Sequence, residues 1–478
     1  MEGAGPAAGA EQPPADPVQA QELPAAAASD GGCGAGVAAA VAEGGAAAKA
    51  AVNAPQPALF LGFDAGRRNN VAALDDETIA LVAGAGVVLL HLPSGSQRHL
   101  PSRDGGGVGA LAVHPARTCF AVAEKRRDGP PNIYVYEWPS LALLASLPGG
   151  TARAYAAAAF EGGGGLLAAV GGGPDHALTL WEWREARVVL RARAFAQDVF
   201  SVGFSPIFQG RLVTSGVGHI RFWRAADTFT GLKLQGALGR FGAVELSDVA
   251  AFTELPDGRV LSGSESGALI VWDGGLVSAV VTRPGGMPCH AGAVDALLRH
   301  EATGLIVSGG GDAALRLWDA AALGAEPGSG GGPSSAAAAS STASIGLEVA
   351  PSAEVALPPG TRVRGLSSLN RRTWLVTDAG GGGVLVVAVP PNPLDAGGYA
   401  VSHILPCAAG GLAGLAALPG CHVAVTAGGD GTVRAVDYVS GAQLQARAFG
   451  AASTCLVLLP PEGARCCAAL GFADGSVV

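Results

Sequence analysis

The chain lacks any long apolar run. No uncharged apolar stretch approaches the roughly 18 residues that a membrane-spanning helix requires, and the apolar block Val384–Val389 (VLVVAV) is strand length. A mean hydropathy of +0.35 reflects abundant alanine, so no membrane insertion is expected. No basic segment followed by an apolar core opens the sequence, and no secretory signal is expected. Positive charge is also in deficit. A net charge of −9 and a pI near 5.5 argue against a general binder of polyanions, so no nucleic-acid partner is expected. The eight cysteines are scattered, none at zinc-ligand spacing, and adjacent Cys466 and Cys467 are poorly placed for an ordinary disulfide. Reduced thiols in a cytoplasmic protein are the expectation. Catalytic signatures are missing too. There is no GxxxxGK[ST] phosphate loop and no HExxH. The glycines of Gly105–Gly109 precede a strand rather than joining a strand to a helix, and Asp257–Gly258 is a turn signal. His114, followed by Pro115, reads as a turn residue rather than a ligand. No enzyme activity, cofactor, metal or small-molecule substrate is expected.

What is present is glycine, 74 residues of it, punctuating short apolar stretches. The segment from Gly304 to Trp318 is the clearest: strand Gly304–Gly309, turn Gly310–Asp312, strand Ala313–Trp318. Trp181, Trp223, Trp272 and Trp318 each close a similar strand, at intervals of 42, 49 and 46 residues. Recurrence at about 40–45 residues is the period of a four-stranded propeller blade. His290, Ser308, Asp312 and Trp318 resemble the structural tetrad of a WD40 repeat. That resemblance implies that Asp312 and Ser308 orient His290, and that His290 contacts the indole N–H. A buried tryptophan needs such a partner, and a closed polar network rigidifies a blade.

The fold expected is all-β: WD40 β-propellers, one complete and a second incomplete, behind a disordered N-terminal tail. Residues 1–57, rich in Ala, Gly and Pro with few large apolar side chains, form the tail. Six units over 58–320 form the first propeller, the first of them without its tryptophan. Residues 321–344, low in complexity, read as a linker. Residues 345–478 read as blades of a second, truncated propeller. In one of these Thr426 and Asp430 keep the Ser308–Asp312 spacing, with Val436 where the tryptophan would stand. In the last, a tryptophan six residues beyond Asp474 would lie past Val478, so a truncated product is expected.

The stretches outside the repeat carry a narrower likeness. Arg67–Asn70 (RRNN), Gly105–Glu124, Pro131–Ser140 (PNIYVYEWPS), Phe195–Phe200 (FAQDVF), Asp227–Gly242 (DTFTGLKLQGALGRFG), Glu254–Gly275 and Met287–His290 (MPCH) resemble the cilia- and flagella-associated protein 44 family. The resemblance is densest over 105–320. It implies a non-enzymatic scaffold of the ciliary or flagellar axoneme, a cytoskeletal component of the tether that links the two-headed inner dynein arm motor domains to the doublet microtubule. The implied partners are inner dynein arm heavy chains, tubulin of the doublet, and the paralogous cilia- and flagella-associated protein 43. The family's long helical C-terminal half has no counterpart in this sequence. The rival reading is a generic cytosolic WD40 adaptor, a ubiquitin-ligase substrate receptor or a transport-complex subunit.

Propellers present function on loops, and basic loops suit acidic partner surfaces. The candidate contact residues are Arg67 and Arg68; Lys125, Arg126 and Arg127; Lys233 and Arg240; and Arg371 and Arg372. The segment 228–242 reads either as a strap between blades or as a docking element.

Overall fold

A computed structural model of the chain describes residues 59–229, 231–325, 345–408, 410–459 and 467–478. The expected tail and the stretch 326–344 lie outside the described residues. Residues 57–478 form one compact unit.

Apolar runs and glycine turns fold as their pattern dictates. Thr78–Ala83 and Gly86–His91 are buried on both faces, as continuous apolar strands should be. Gly84, at φ +58°, supplies the left-handed residue that their tight hairpin needs. Among the described residues the strands assemble into nine sheets, antiparallel but for one added edge strand, whose strand order follows the chain. The blades occupy residues 71–101, 108–147, 155–193, 199–238, 252–282, 294–318, 363–406, 412–448 and 453–472. The fifth and sixth each gain a further strand from downstream, and the ninth has two strands.

Seven apolar cores lie between successive blades, one at each junction from first–second to seventh–first. The last joins Leu369, Leu375 and Val384 of the seventh blade to Ile79, Leu81 and Leu90 of the first. Seven junctions for seven blades make a closed ring. The innermost strand of every blade is its first, so all seven run the same way through the central channel. Their beginnings share one face of the ring, here the entry face, and their ends share the other, the exit face. Inner strands approach closely at the entry face: a Cβ on Gly109 would meet the Tyr155 carbonyl oxygen at 2.1 Å.

The expected boundary at 320 is therefore corrected. The sixth blade stops at three strands before the low-complexity segment, and its fourth, Ala353–Ala356, returns after it to pair Leu315 with Val355. On the way, Gly346–Glu348 adds a parallel fifth strand to the edge of the fifth blade. In chain order the 321–344 segment thus falls between the third and fourth strands of one blade rather than between propellers. The seventh blade, expected in a second propeller, closes the first. The physical reason is the unpaired edge of Ala314–Trp318, which needs a fourth strand, and the apolar face of the first blade, which needs a neighbour. The segment Gly231–Leu238 is the outer strand of the fourth blade, paired with His219–Thr228, so the strap reading applies only beyond it.

Blades eight and nine follow the ring and share a small core of Ala427, Leu470 and Phe472. Gln443–Ala448, the outer strand of the eighth, is exposed throughout. Among the described residues, no helix is long and apolar enough to cross a membrane.

Candidate interaction surfaces of the ring

The structure brings His290, Ser308, Asp312 and Trp318 together at the entry face of the sixth blade. Asp312 Oδ1 lies 2.8 Å from His290 Nδ1, and His290 Nε2 lies 2.7 Å from Ser308 Oγ. The indole of Trp318 donates to Ser308 Oγ at 2.8 Å. Serine, not histidine, is therefore the acceptor of the indole N–H, which corrects the expected order. The reason is reach: Ser308 stands on the strand beside Trp318, whereas His290 enters from the preceding loop.

A fifth member was not anticipated. Arg316 donates to Asp312 Oδ2 at 2.6 Å and pairs with Glu354 at 3.1 Å. Glu354 lies on the strand that returns after the insertion, so this pair fastens that strand to the tetrad. Burial alone would raise the Asp312 carboxyl. The hydrogen bonds from His290 and Arg316 outweigh it and hold the group well below the usual carboxylate range. Arg316 sits four residues after Asp312, a signal visible in the sequence; its partner across the insertion was not. Trp272 and Trp223 keep abridged versions, donating to Ser262 Oγ at 2.8 Å and Thr214 Oγ1 at 2.9 Å.

Arg67 and Arg68 do not stand on an outer loop. The segment Arg67–Asn70 enters the central channel just before the first inner strand. Arg67 donates to the Gly109 carbonyl at 2.6 Å, and Arg68 pairs with Asp295 at 2.8 Å. Asn69 donates to the carbonyls of Ala156 and Phe200, at 3.1 and 2.8 Å. Asp295 also receives Arg364 at 3.3 Å. RRNN is thus a plug that bonds inner strands of four different blades, and its arginines act largely within the fold. Polar residues before a strand of a closed ring could have signalled this, since inner-strand carbonyls at the channel need donors.

Lys125 lines the entry-face mouth beside Arg67. Burial first, and then Arg67, lower its pKa. Arg126 and Arg127 are exposed on the adjoining loop. Arg371 and Arg372 lie on the opposite, exit face. They line a cleft of about 620 Å³ with Arg117, Arg299, His300 and Asp76. Arg117 is neutralised by Asp76 at 2.9 Å, while Arg371 and Arg372 make no ion pair among the described residues. Lys233 and Arg240 are exposed at the fourth blade, where the Arg240 N–H donates to the Gly275 carbonyl at 2.8 Å. The candidate contact residues therefore fall into three separate places rather than one patch.

Among the described residues, no three histidine, cysteine or carboxylate side chains converge as a metal site. Burial pushes the Cys289 and Cys407 thiols up to about 11, which leaves them protonated near neutral pH.

A closed ring of four-stranded blades carrying a His–Ser–Asp–Trp network defines a WD40-type β-propeller protein. Over 428 residues, 87% of its length, the chain is 48% identical to cilia- and flagella-associated protein 44 of Chlamydomonas reinhardtii, and it spans 24% of that protein. Cilia- and flagella-associated protein 44 of Mus musculus is 46% identical over 54% of the chain, spanning 14% of the mouse protein. Echinoderm microtubule-associated protein-like 1 of Homo sapiens is 31% identical over 52% of the chain and 31% of that protein. No family model matches. Among solved structures, the WD40 β-propeller domain of Doa1 aligns with a TM-score of 0.45 at 16% identity, covering 67% of the chain and 93% of the domain. The chain belongs, over the region it spans, to the cilia- and flagella-associated protein 44 family.

Proposed function

We propose that this chain is a non-enzymatic scaffold of the ciliary or flagellar axoneme. In this reading it forms part of the tether between the inner dynein arm motor domains and the doublet microtubule. Its partners are dynein heavy chains, tubulin and the paralogous cilia- and flagella-associated protein 43. The observation that carries the reading is the 48% identity, sustained over 428 residues, to a protein named for cilia and flagella. The likeness to a microtubule-associated protein over half the chain supports the same direction. The site geometry agrees with a scaffold, because the titratable groups of the tetrad and channel already serve one another as hydrogen-bond partners. Blades eight and nine, on this reading, begin a second ring.

The test is fractionation of detergent-stripped cilia from a host expressing the tagged chain. Retention on axonemes through moderate salt, and loss from mutants lacking the inner-arm tether, is the expected result. A wholly soluble pool would move the function to a general cytosolic adaptor.

A further inference from the structure

The fourth blade departs from its neighbours on the exit face. Its third and fourth strands, His219–Thr228 and Gly231–Leu238, are ten and eight residues long. The same strands of the first three blades have five to seven. Third strands run toward the exit face, so the surplus projects there as a two-stranded arm. Phe229 near its tip is fully exposed and Leu232 is exposed beside it.

Register decides which way the arm faces. Trp223 and Ala225 pair with Gly236 and Leu234, and this side packs toward the third blade. Arg224 and Ala226, paired with Gln235 and Lys233, turn toward the fifth. Between that side and the fifth blade lies a cleft of about 440 Å³, lined by Phe222 and Trp272 and flanked by Arg211, Arg224 and Glu254. Phe208 is partly exposed nearby, with Arg211 stacked 4.2 Å above its ring. The lining carboxylate, Glu254, accepts from Ser205 Oγ at 2.9 Å. Asp257, close by, is engaged by Arg259 at 2.7 Å. Arg211, Arg224 and Lys233 make no ion pair among the described residues. In a chain of net charge −9, this corner offers three cations and two exposed phenylalanines around a recess.

We propose that the arm and cleft dock an acidic polypeptide segment of a protein partner. An apolar side chain of the segment enters between Phe208 and Phe229, and its carboxylates face Arg211, Arg224 and Lys233. Arginines favour carboxylates through paired N–H donors, and aromatic anchors supply contact area at low entropic cost. A basic segment would meet like charges. The proposal deepens the scaffold reading, and rests on it in taking the partner to be a protein.

The test uses the full chain and a fluorescein-labelled peptide of glutamate and glycine with one central phenylalanine, followed by fluorescence anisotropy. Saturable binding is expected. The double variant Arg211→Glu/Arg224→Glu should weaken it about tenfold or more, and Phe229→Ala about threefold. Arg371→Glu/Arg372→Glu, elsewhere on the exit face, should leave it unchanged. Phe229 is fully exposed, so its variant remains informative if the arginine variant fails to fold. No binding, equal binding of a glutamine counterpart, or equal loss in the Arg371/Arg372 variant overturns the proposal. If arm variants bind the peptide as the parent does while axonemal retention persists, the cleft assignment falls and the scaffold reading stands. Peptide binding that follows the predicted pattern in a chain that fails to enter axonemes leaves the cleft standing and removes the scaffold.

Discussion

The closed ring and the two blades after it are built from the same repeat, yet they bury very different fractions of it. In the sixth blade Ala314–Trp318 is buried at every position, with Trp318 and Ser308 wholly inaccessible. In the eighth, the corresponding strand Thr432–Asp437 is mostly half-buried, and Leu412, Leu415 and Leu444 remain more than half exposed. The turn chemistry survives in both: Asp312 pairs with Arg316, and Asp430 lies 3.7 Å from Arg434 four residues on. What differs is the neighbour. Each ring blade has an apolar core on both faces, whereas the eighth has one with the ninth. Burial of a blade is a property of its place in a ring more than of its own sequence, because a sheet of this kind cannot cover both faces by itself.

The largest effect should come from deleting the seventh blade. A chain ending at residue 320 loses that blade and the strand Ala353–Ala356, and opens two blade faces and the edge of Ala314–Trp318. It should show no cooperative melting transition in calorimetry, whereas a chain ending at residue 411 should melt as one unit. Equal, sharp transitions for the two would erase the distinction between ring and extension.

Next in size is the tetrad. Asp312→Asn leaves His290 and Arg316 without their buried carboxylate and should cost about 3 kcal/mol in denaturant unfolding. Asp430→Asn, at the matching place in the eighth blade, strands no histidine among the described residues and should cost about 1 kcal/mol or less. Similar losses at both positions would show that the network matters independently of the ring.

The same carboxylate sets an acid limb. Its folded pKa is depressed, so its contribution is complete above the unfolded value near 3.9. That contribution is lost only as pH falls below this value toward the depressed folded one. Parent and Asp312→Asn should therefore differ most in stability at neutral pH and converge in strong acid. A constant gap across this range would contradict the assignment.

The channel plug should have a smaller effect. Arg68→Ala leaves Asp295 with Arg364 as a remaining partner, and a loss of about 1 kcal/mol in thermal unfolding is expected. A much larger loss would mean that the plug, rather than the interblade cores, holds the ring shut.

Much of this architecture is legible in the sequence. Tryptophan spacing places blades three to six, and the His290–Trp318 network follows from one stretch of residues. The seventh blade is not legible in that way, for two physical reasons. Its tryptophan, Trp374, sits on the second strand, opposite Val387 on the third, so the strand-closing signal is absent. The low-complexity insertion before it has the composition of a domain boundary, and only the register of Leu315 with Val355 shows that it interrupts a blade. Arg67 and Arg68 resemble a solvated loop pair until the ring closes around them. The arm of the fourth blade reads in the sequence as a strap or a docking element, although the alternation of Leu232, Lys233, Leu234 and Gln235 suits an outer strand.

Hydrogen exchange tests the closed ring most directly. Strands Thr373–Asp378 and Gly383–Ala388 should exchange as slowly as Thr78–Ala83 and Gly86–His91, through one shared opening event. Val423–Gly428 and Thr432–Asp437 should exchange much faster. If the seventh-blade strands instead exchange together with those of the eighth, that blade belongs to the extension, and the ring is not closed where the structure closes it.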